Sequence, residues 1–132
     1  MPTRTAAQRR AEAKKSYDAY LAECPSRQLL SAMSDKWVSL VLCALGKQDS
    51  RYSTLSRQIA GVSQKMLTQT LRTLERDGLV RRVVTASVPV RVDYALTPLG
   101  RSLLPVIEEI KRWAEENMVR VQRARTHYDA KS

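Results

Sequence analysis

The sequence predicts a mainly helical protein with one small β-hairpin late in the chain and helices at both ends. Three observations carry this. Apolar residues recur at helical spacing through most of the chain, as in Leu67, Leu71 and Leu74 at i, i+4 and i+7. Between residues 79 and 96 the period changes to two short β-branched runs, LVRRVVT and VRVDYAL, joined by Ala86-Ser87-Val88-Pro89. The chain has 132 residues, no Phe and only two Trp, which suits one domain with an aliphatic core.

The elements follow in order. Residues 6–22 are rich in helix formers but carry little apolar surface before Tyr17, Tyr20 and Leu21, so a solvated helix with a frayed start is expected. Cys24-Pro25 interrupts it, and Pro25 suits the first position of a second helix reaching about Met33, with Leu29, Leu30 and Met33 inward. Ser34 is the expected cap of a third helix, residues 35–45, ended by Gly46. On a helical wheel Trp37, Leu40, Val41, Ala44 and Leu45 share one face, with Ser39 and Cys43 opposite.

Arg51-Tyr52 is expected to pair briefly as a strand. Ser53 then caps a short helix, residues 54–59, and Ala60-Gly61-Val62 forms a turn. Ser63 caps a helix over Gln64–Arg76, stopped at Asp77-Gly78. In the second strand Val90, Val92, Tyr94 and Leu96 lie on one side, with Arg91 and Asp93 on the other. Thr97-Pro98 caps a long helix to about Arg123, striped by Leu103, Leu104, Ile107, Ile110 and Trp113, with a local bend expected at Pro105. The expected partition is a basic extension and helix at 1–23, a DNA-binding domain at 24–97, a dimerisation helix at 98–125 and a flexible tail at 126–132.

Charge narrows the function. Lys and Arg number 23 against 13 acids, a net charge of +10. A strongly basic domain is a candidate nucleic-acid binder. Residues 24–97 hold eleven basic and five acidic groups, so the excess lies in the folded middle of the chain. No apolar run is long enough to span a membrane, and residues 1–15 lack the apolar segment of a secretory signal, so a cytoplasmic protein without a membrane partner is expected. An enzyme is not. His127 is the sole histidine, four glycines form no phosphate-cradling loop, and two cysteines are too few for a zinc site. Neither cofactor nor metal is expected.

A helix, a Gly-containing turn, a second helix and then a hairpin is the order of a winged helix-turn-helix. The second helix of such a motif enters the major groove. Its outward residues here are Ser63, Gln64, Lys65, Thr68, Gln69 and Arg72, with no acid on that face before Glu75. Gln pairs with adenine, Lys or Arg with guanine, and Ser or Thr with either. An ordinary solvated face mixes both signs of charge. In the hairpin, Arg81, Arg82 and Arg91 flank a small or apolar tip, as a wing lying along phosphates requires, although arginines on an edge hairpin also discourage edge pairing.

These pieces resemble the HxlR-type winged-helix transcriptional regulators of bacteria, relatives of the MarR-type regulators. The matching stretches are CP at 24–25, DKWVSLVLCAL at 35–45, RYSTLSRQIAGVSQKMLTQTLRTLERDGLVRR at 51–82, VPVRVDYALTPLGRSL at 88–103, and the trailing IKRWAEEN. They span about two-thirds of the chain. Two features depart from the pattern: Ser34-Asp35 where the family more often has Gly, and a basic extension of about 20 residues.

The resemblance implies a homodimer built by helices from both chain ends, here through Tyr17, Tyr20, Leu21, Leu103, Leu104, Ile107, Ile110 and Trp113. Such a dimer reads an inverted repeat on double-stranded DNA, with its two reading helices roughly 34 Å apart. In a redox-sensing branch of the family a cysteine at the position of Cys24 reacts with quinones, aldehydes or hypochlorite, or forms an inter-subunit disulfide. Backbone N–H groups and the helix dipole after Cys24, with Arg27 nearby, suit a thiolate there. The other reading of Cys24 is a small packing residue at a helix junction, and Cys43 reads as a packing thiol. The combined expectation is a dimeric repressor switched at Cys24. Two alternatives stand beside it: gating by a non-covalent ligand between dimer helices and wing, and a sequence-indifferent architectural protein.

Overall fold

In the computed structural model, residues 3–131 are described, with the side chains of residues 21 and 22 outside the description. The chain divides into two compact units, Met1–Lys36 and Trp37–Ser132.

The first unit holds α1 (Ala6–Glu23) and α2 (Pro25–Met33). The start of α1 is fastened, not frayed. Thr5 Oγ1 accepts from the Gln8 N–H at 3.1 Å, and Gln8 Oε1 accepts from the Thr5 N–H at 2.9 Å, a reciprocal capping box. Arg4 pairs with Glu12, about two turns on. Cys24 is the extended residue before α2, and Pro25 opens the helix as expected. Leu29 and Leu30, expected inward, are exposed. Ser34 closes α2 instead of capping α3, because its N–H and hydroxyl both donate to the Ser31 carbonyl, at 3.3 and 2.7 Å.

The second unit follows α3 (Lys36–Lys47) with β1 (Ser50–Arg51), α4 (Tyr52–Gln58), α5 (Gln64–Arg76), β2 (Val80–Thr85), β3 (Arg91–Leu96) and α6 (Pro98–Ala130). In α3 the buried face is Val38, Val41, Leu42 and Leu45, whereas Leu40 is exposed. The helix is apolar nearly all round, so a wheel alone leaves its inward face open. Gly46 does not end α3; it admits Leu104 of α6, whose Cδ2 would stand 2.5 Å from a Cβ placed there.

Leu42, Leu45, Leu55, Leu67, Leu71 and Leu74 are fully buried, together with Val41 and Val80. The core is aliphatic, as the composition requires. α5 has the bounds expected of it. Ser63 Oγ accepts from the Met66 N–H at 3.1 Å, and the turns on either side use Gly61 (φ 84°) and Gly78 (φ 75°) in the left-handed region. The Thr70 hydroxyl, on the buried side of α5, has no hydrogen-bond partner among the described residues. Thr70→Val keeps the shape and removes the desolvated hydroxyl. It should stabilise the fold by about 1 kcal/mol in urea unfolding, and a lower unfolding midpoint would contradict this account.

The sheet has the order β1-β3-β2, all antiparallel. Ser50 pairs with Tyr94, and Val80, Arg82 and Val84 pair with Leu96, Tyr94 and Val92. The register therefore puts Val80, Arg82, Val84, Val92, Tyr94 and Leu96 on one face and Arg81, Arg91 and Asp93 on the other. At the base of the hairpin Ala95 and Leu96 are both buried.

α6 begins at a clasp. Thr97 Oγ1 accepts from the Gly100 N–H at 3.0 Å and donates to the Gly78 carbonyl at 2.6 Å, while the Thr97 N–H donates to the Leu79 carbonyl at 3.1 Å. The helix is continuous through Pro105. The loose tail expected at 126–132 is helical as far as Ala130. Residues 121–130 contain no Gly or Pro, and Thr126 turns its hydroxyl back to the Gln122 carbonyl at 3.0 Å, so nothing local stops propagation.

Candidate nucleic-acid interface

The Gly61 turn sets α5 against α4 so that Leu67, Leu71 and Leu74 face the core. The opposite face of α5 is then determined. Ser63, Gln64, Lys65, Thr68, Gln69 and Arg72 together line one open depression of about 720 Å³. The six DNA-facing residues expected on this helix and its cap are thus brought together on one surface, apart from the three wing arginines. Five of them are exposed; Thr68 is half-buried.

Thr68 is engaged from behind. Its Oγ1 donates to the Tyr52 hydroxyl at 3.3 Å, and that hydroxyl donates to the Gln64 carbonyl at 2.9 Å. Tyr52, which the local pattern places in a strand, is the first residue of α4. Its role depends on contacts 12 and 16 residues away, which no local pattern encodes.

The wing arginines separate by face. Arg82 lies on the side of Tyr94 and reaches Glu75 of α5 at 3.8 Å. Arg81 is on the opposite side. Arg91 is held by Asp93 at 2.8 Å, and this bond to the carboxylate raises the guanidinium above its usual range. Burial pushes the Tyr94 phenol above its usual range, opposed by the nearby Arg82 and supported by Glu75 and Tyr52. Thr68, Leu71, Arg72, Glu75, Arg82 and Tyr94 line a second depression of about 390 Å³ on this side of α5. The cationic surface therefore runs from α5 through Arg82, with Arg91 partly neutralised.

The residues expected at a dimer interface are distributed unevenly. Tyr17 and Tyr20 are exposed, and the Leu21 side chain lies outside the described residues. Ile107, expected at the interface, is 4% exposed and belongs to the chain's own core. Leu103 and Leu104 are half-buried, Leu104 lying over Gly46. Ile110 and Trp113 are exposed, beside an exposed Val106. Cys24 is half-buried and caps no backbone N–H with its side chain. Arg27, Leu30 and Ser34 share a depression with it. Among the described residues no single helix is long and apolar enough to cross a membrane.

A helix-turn-helix with an acid-free polar and cationic face, followed by a β-wing carrying arginines, defines a winged-helix DNA-binding protein. Residues 32–122 match the HxlR-like helix-turn-helix family, and the chain belongs to that family. It is a helix-turn-helix transcriptional regulator. The HTH-type transcriptional regulator YtfH of Escherichia coli (strain K12) is 40% identical over 102 residues, 77% of this chain and 81% of YtfH. The redox regulator HypR in its reduced form superposes with a TM-score of 0.72 at 33% identity, covering 76% of this chain and 99% of HypR. YodB from B. subtilis, reduced, gives a TM-score of 0.65 at 33% identity over 71% of this chain and 93% of YodB. YodB has also been solved after diamide treatment.

Proposed function

We propose that this regulator is a homodimeric repressor that reads an inverted repeat with α5 and is switched by oxidation or electrophile modification at Cys24. The observation that carries the DNA reading is the single surface formed by Ser63, Gln64, Lys65, Thr68, Gln69 and Arg72, without an acid among them. Gln64 and Gln69 are polar readers, not merely cations, which favours base reading over a sequence-indifferent architectural role. Lys65, Arg72 and Arg82 supply the phosphate attraction on this side, with Arg81 and the Asp93-paired Arg91 on the other face of the wing.

The dimer reading is supported by α6. Val106, Ile110, Trp113 and Val119 are exposed apolar residues on one helix, more than a lone helix in water is expected to carry. Tyr17 and Tyr20 add a second exposed pair on α1. The thiol switch is supported by the place of Cys24 at a helix start and by likeness to HypR, named a redox regulator. Diamide converts two thiols to one disulfide, taking up two electrons and two protons. A quinone instead bonds a ring carbon to sulfur, and the thiol proton passes to oxygen.

A second reading has its own observation. Leu40, Cys43, Ala44, Ile59, Lys47 and Lys111 help to line a depression of about 750 Å³ between α3, the end of α4 and α6. A small ligand held there would touch the helix-turn-helix and the long helix together, without involving Cys24.

One titration separates these readings. DNA from the regulator's own promoter is titrated with random competitor, before and after diamide, for the parent and Cys24→Ser. The expected result is specific binding that changes by at least about tenfold with diamide in the parent alone, or 1.4 kcal/mol. Specific binding indifferent to diamide sinks the thiol switch and moves attention to the α3–α6 depression. Binding without preference over competitor sinks base reading.

A further inference from the structure

Two hydroxyls behind α5 determine which way Thr68 can hydrogen-bond. The Tyr52 hydroxyl lies 2.9 Å from the Gln64 carbonyl oxygen. A carbonyl only accepts, so the single phenolic proton is committed to it. Thr68 Oγ1 lies 3.3 Å from the same phenol oxygen. With the phenolic proton spent, that oxygen can only accept, so the Thr68 hydroxyl spends its single proton there. Whatever part of the Thr68 oxygen remains open beyond Tyr52 has only lone pairs to offer. An unconstrained Thr hydroxyl can donate or accept; this one is held as an acceptor.

Tyr52 is itself fixed. It opens α4 directly after Arg51, which pairs with Asp93 of the wing. The phenol therefore ties the wing sheet to the first turn of α5. In the major groove the only hydrogen-bond donors are the amino groups of adenine and cytosine; guanine and thymine present acceptors at the corresponding edges.

We propose that Tyr52, acting as a positioning residue, makes Thr68 an acceptor-only reader that selects adenine or cytosine at one position of each half-site. This rests on the assignment of base reading to α5. The guanine O6 or thymine O4 that a free Thr hydroxyl would satisfy instead meets lone pairs without a proton between them.

The test is selection from a randomised operator library by the full-length parent, Tyr52→Phe and Thr68→Val. The parent should prefer adenine or cytosine over guanine or thymine at one position per half-site, by about fivefold or more. Tyr52→Phe keeps the ring and frees the Thr68 proton, so that preference should fall toward parity while the others persist. Thr68→Val should lose the same preference at the same position. An unchanged Tyr52→Phe profile overturns the proposal, as does one flattened equally at all positions, which is what simple loss of support for α5 would give. A parent that selects no sequence overturns the base-reading assignment and the proposal together. Should Tyr52→Phe not fold, by circular dichroism, Thr68→Val carries the test, and its retaining the preference overturns the proposal.

Discussion

Gly100→Ala should unfold at markedly lower denaturant than the parent, with a loss of about 3 kcal/mol from overpacking. Replacing Gly by Ala within a helix ordinarily stabilises by about 1 kcal/mol. Here the sign is reversed by what the new methyl would meet. A Cβ on Gly100 collides with the Leu79 carbonyl oxygen and stands 3.0 Å from its carbon. Both belong to backbone, which cannot rotate aside as a side chain does. The same Leu79 carbonyl accepts from the Thr97 N–H, so moving it breaks the clasp that joins the end of α5 to the start of α6. Gly46→Ala is the matched control. Its Cβ meets the flexible Leu104 side chain alone, so it should cost distinctly less. Equal unfolding midpoints for the two variants would refute the clasp as the cause.

Gln64→Ala should cost about 1–3 kcal/mol on the regulator's own operator, roughly 5- to 150-fold in affinity, and close to nothing on random DNA. The Gln64 side chain is exposed on the surface proposed to face DNA, and the contact Gln64 makes with Tyr52 uses its backbone carbonyl. Its removal therefore leaves the fold and the Tyr52 bond in place. Arg82→Ala supplies the contrast. A phosphate-facing cation weakens all DNA alike, and its loss should reduce the slope of log K against log salt by about one. The ion pair of Arg82 with Glu75, at 3.8 Å between two well-exposed groups, does little to withhold it from DNA. Equal losses on operator and random DNA for Gln64→Ala would reject the reading helix.

Much of this was legible in the sequence because the informative signals were local. Ser63, the leucines at i, i+4 and i+7, and Asp77-Gly78 mark α5 at both ends and on its inward face, and the outward face follows by subtraction. The alternation in residues 90–96 marks the second strand of the hairpin and its two faces in the same way. What escaped depends on contacts between distant residues. Tyr52 reaches 12 and 16 residues forward, and Ser50 pairs with Tyr94 across the whole helix-turn-helix. The inward face of α3 was ambiguous because apolar residues nearly encircle it. Periodicity says that Ile107 faces something apolar, not that this is its own core. The polar residues after Arg123 read as a tail, yet nothing in 121–130 breaks a helix and α6 runs to Ala130.

The hairpin has a consequence for how this regulator can diversify. From Arg81 to Arg91 every residue is exposed, whereas Val80, Ala95 and Leu96 at its base are buried. Substitutions in the outer half remove no core contact and so change folding free energy little, and the arginines proposed to meet phosphate lie there. Lineages can therefore exchange wing residues without first accumulating stability, and duplicated copies can drift toward different operators. Residues of α5 are less free, since the helix proposed to read DNA on one face holds three core leucines on the other.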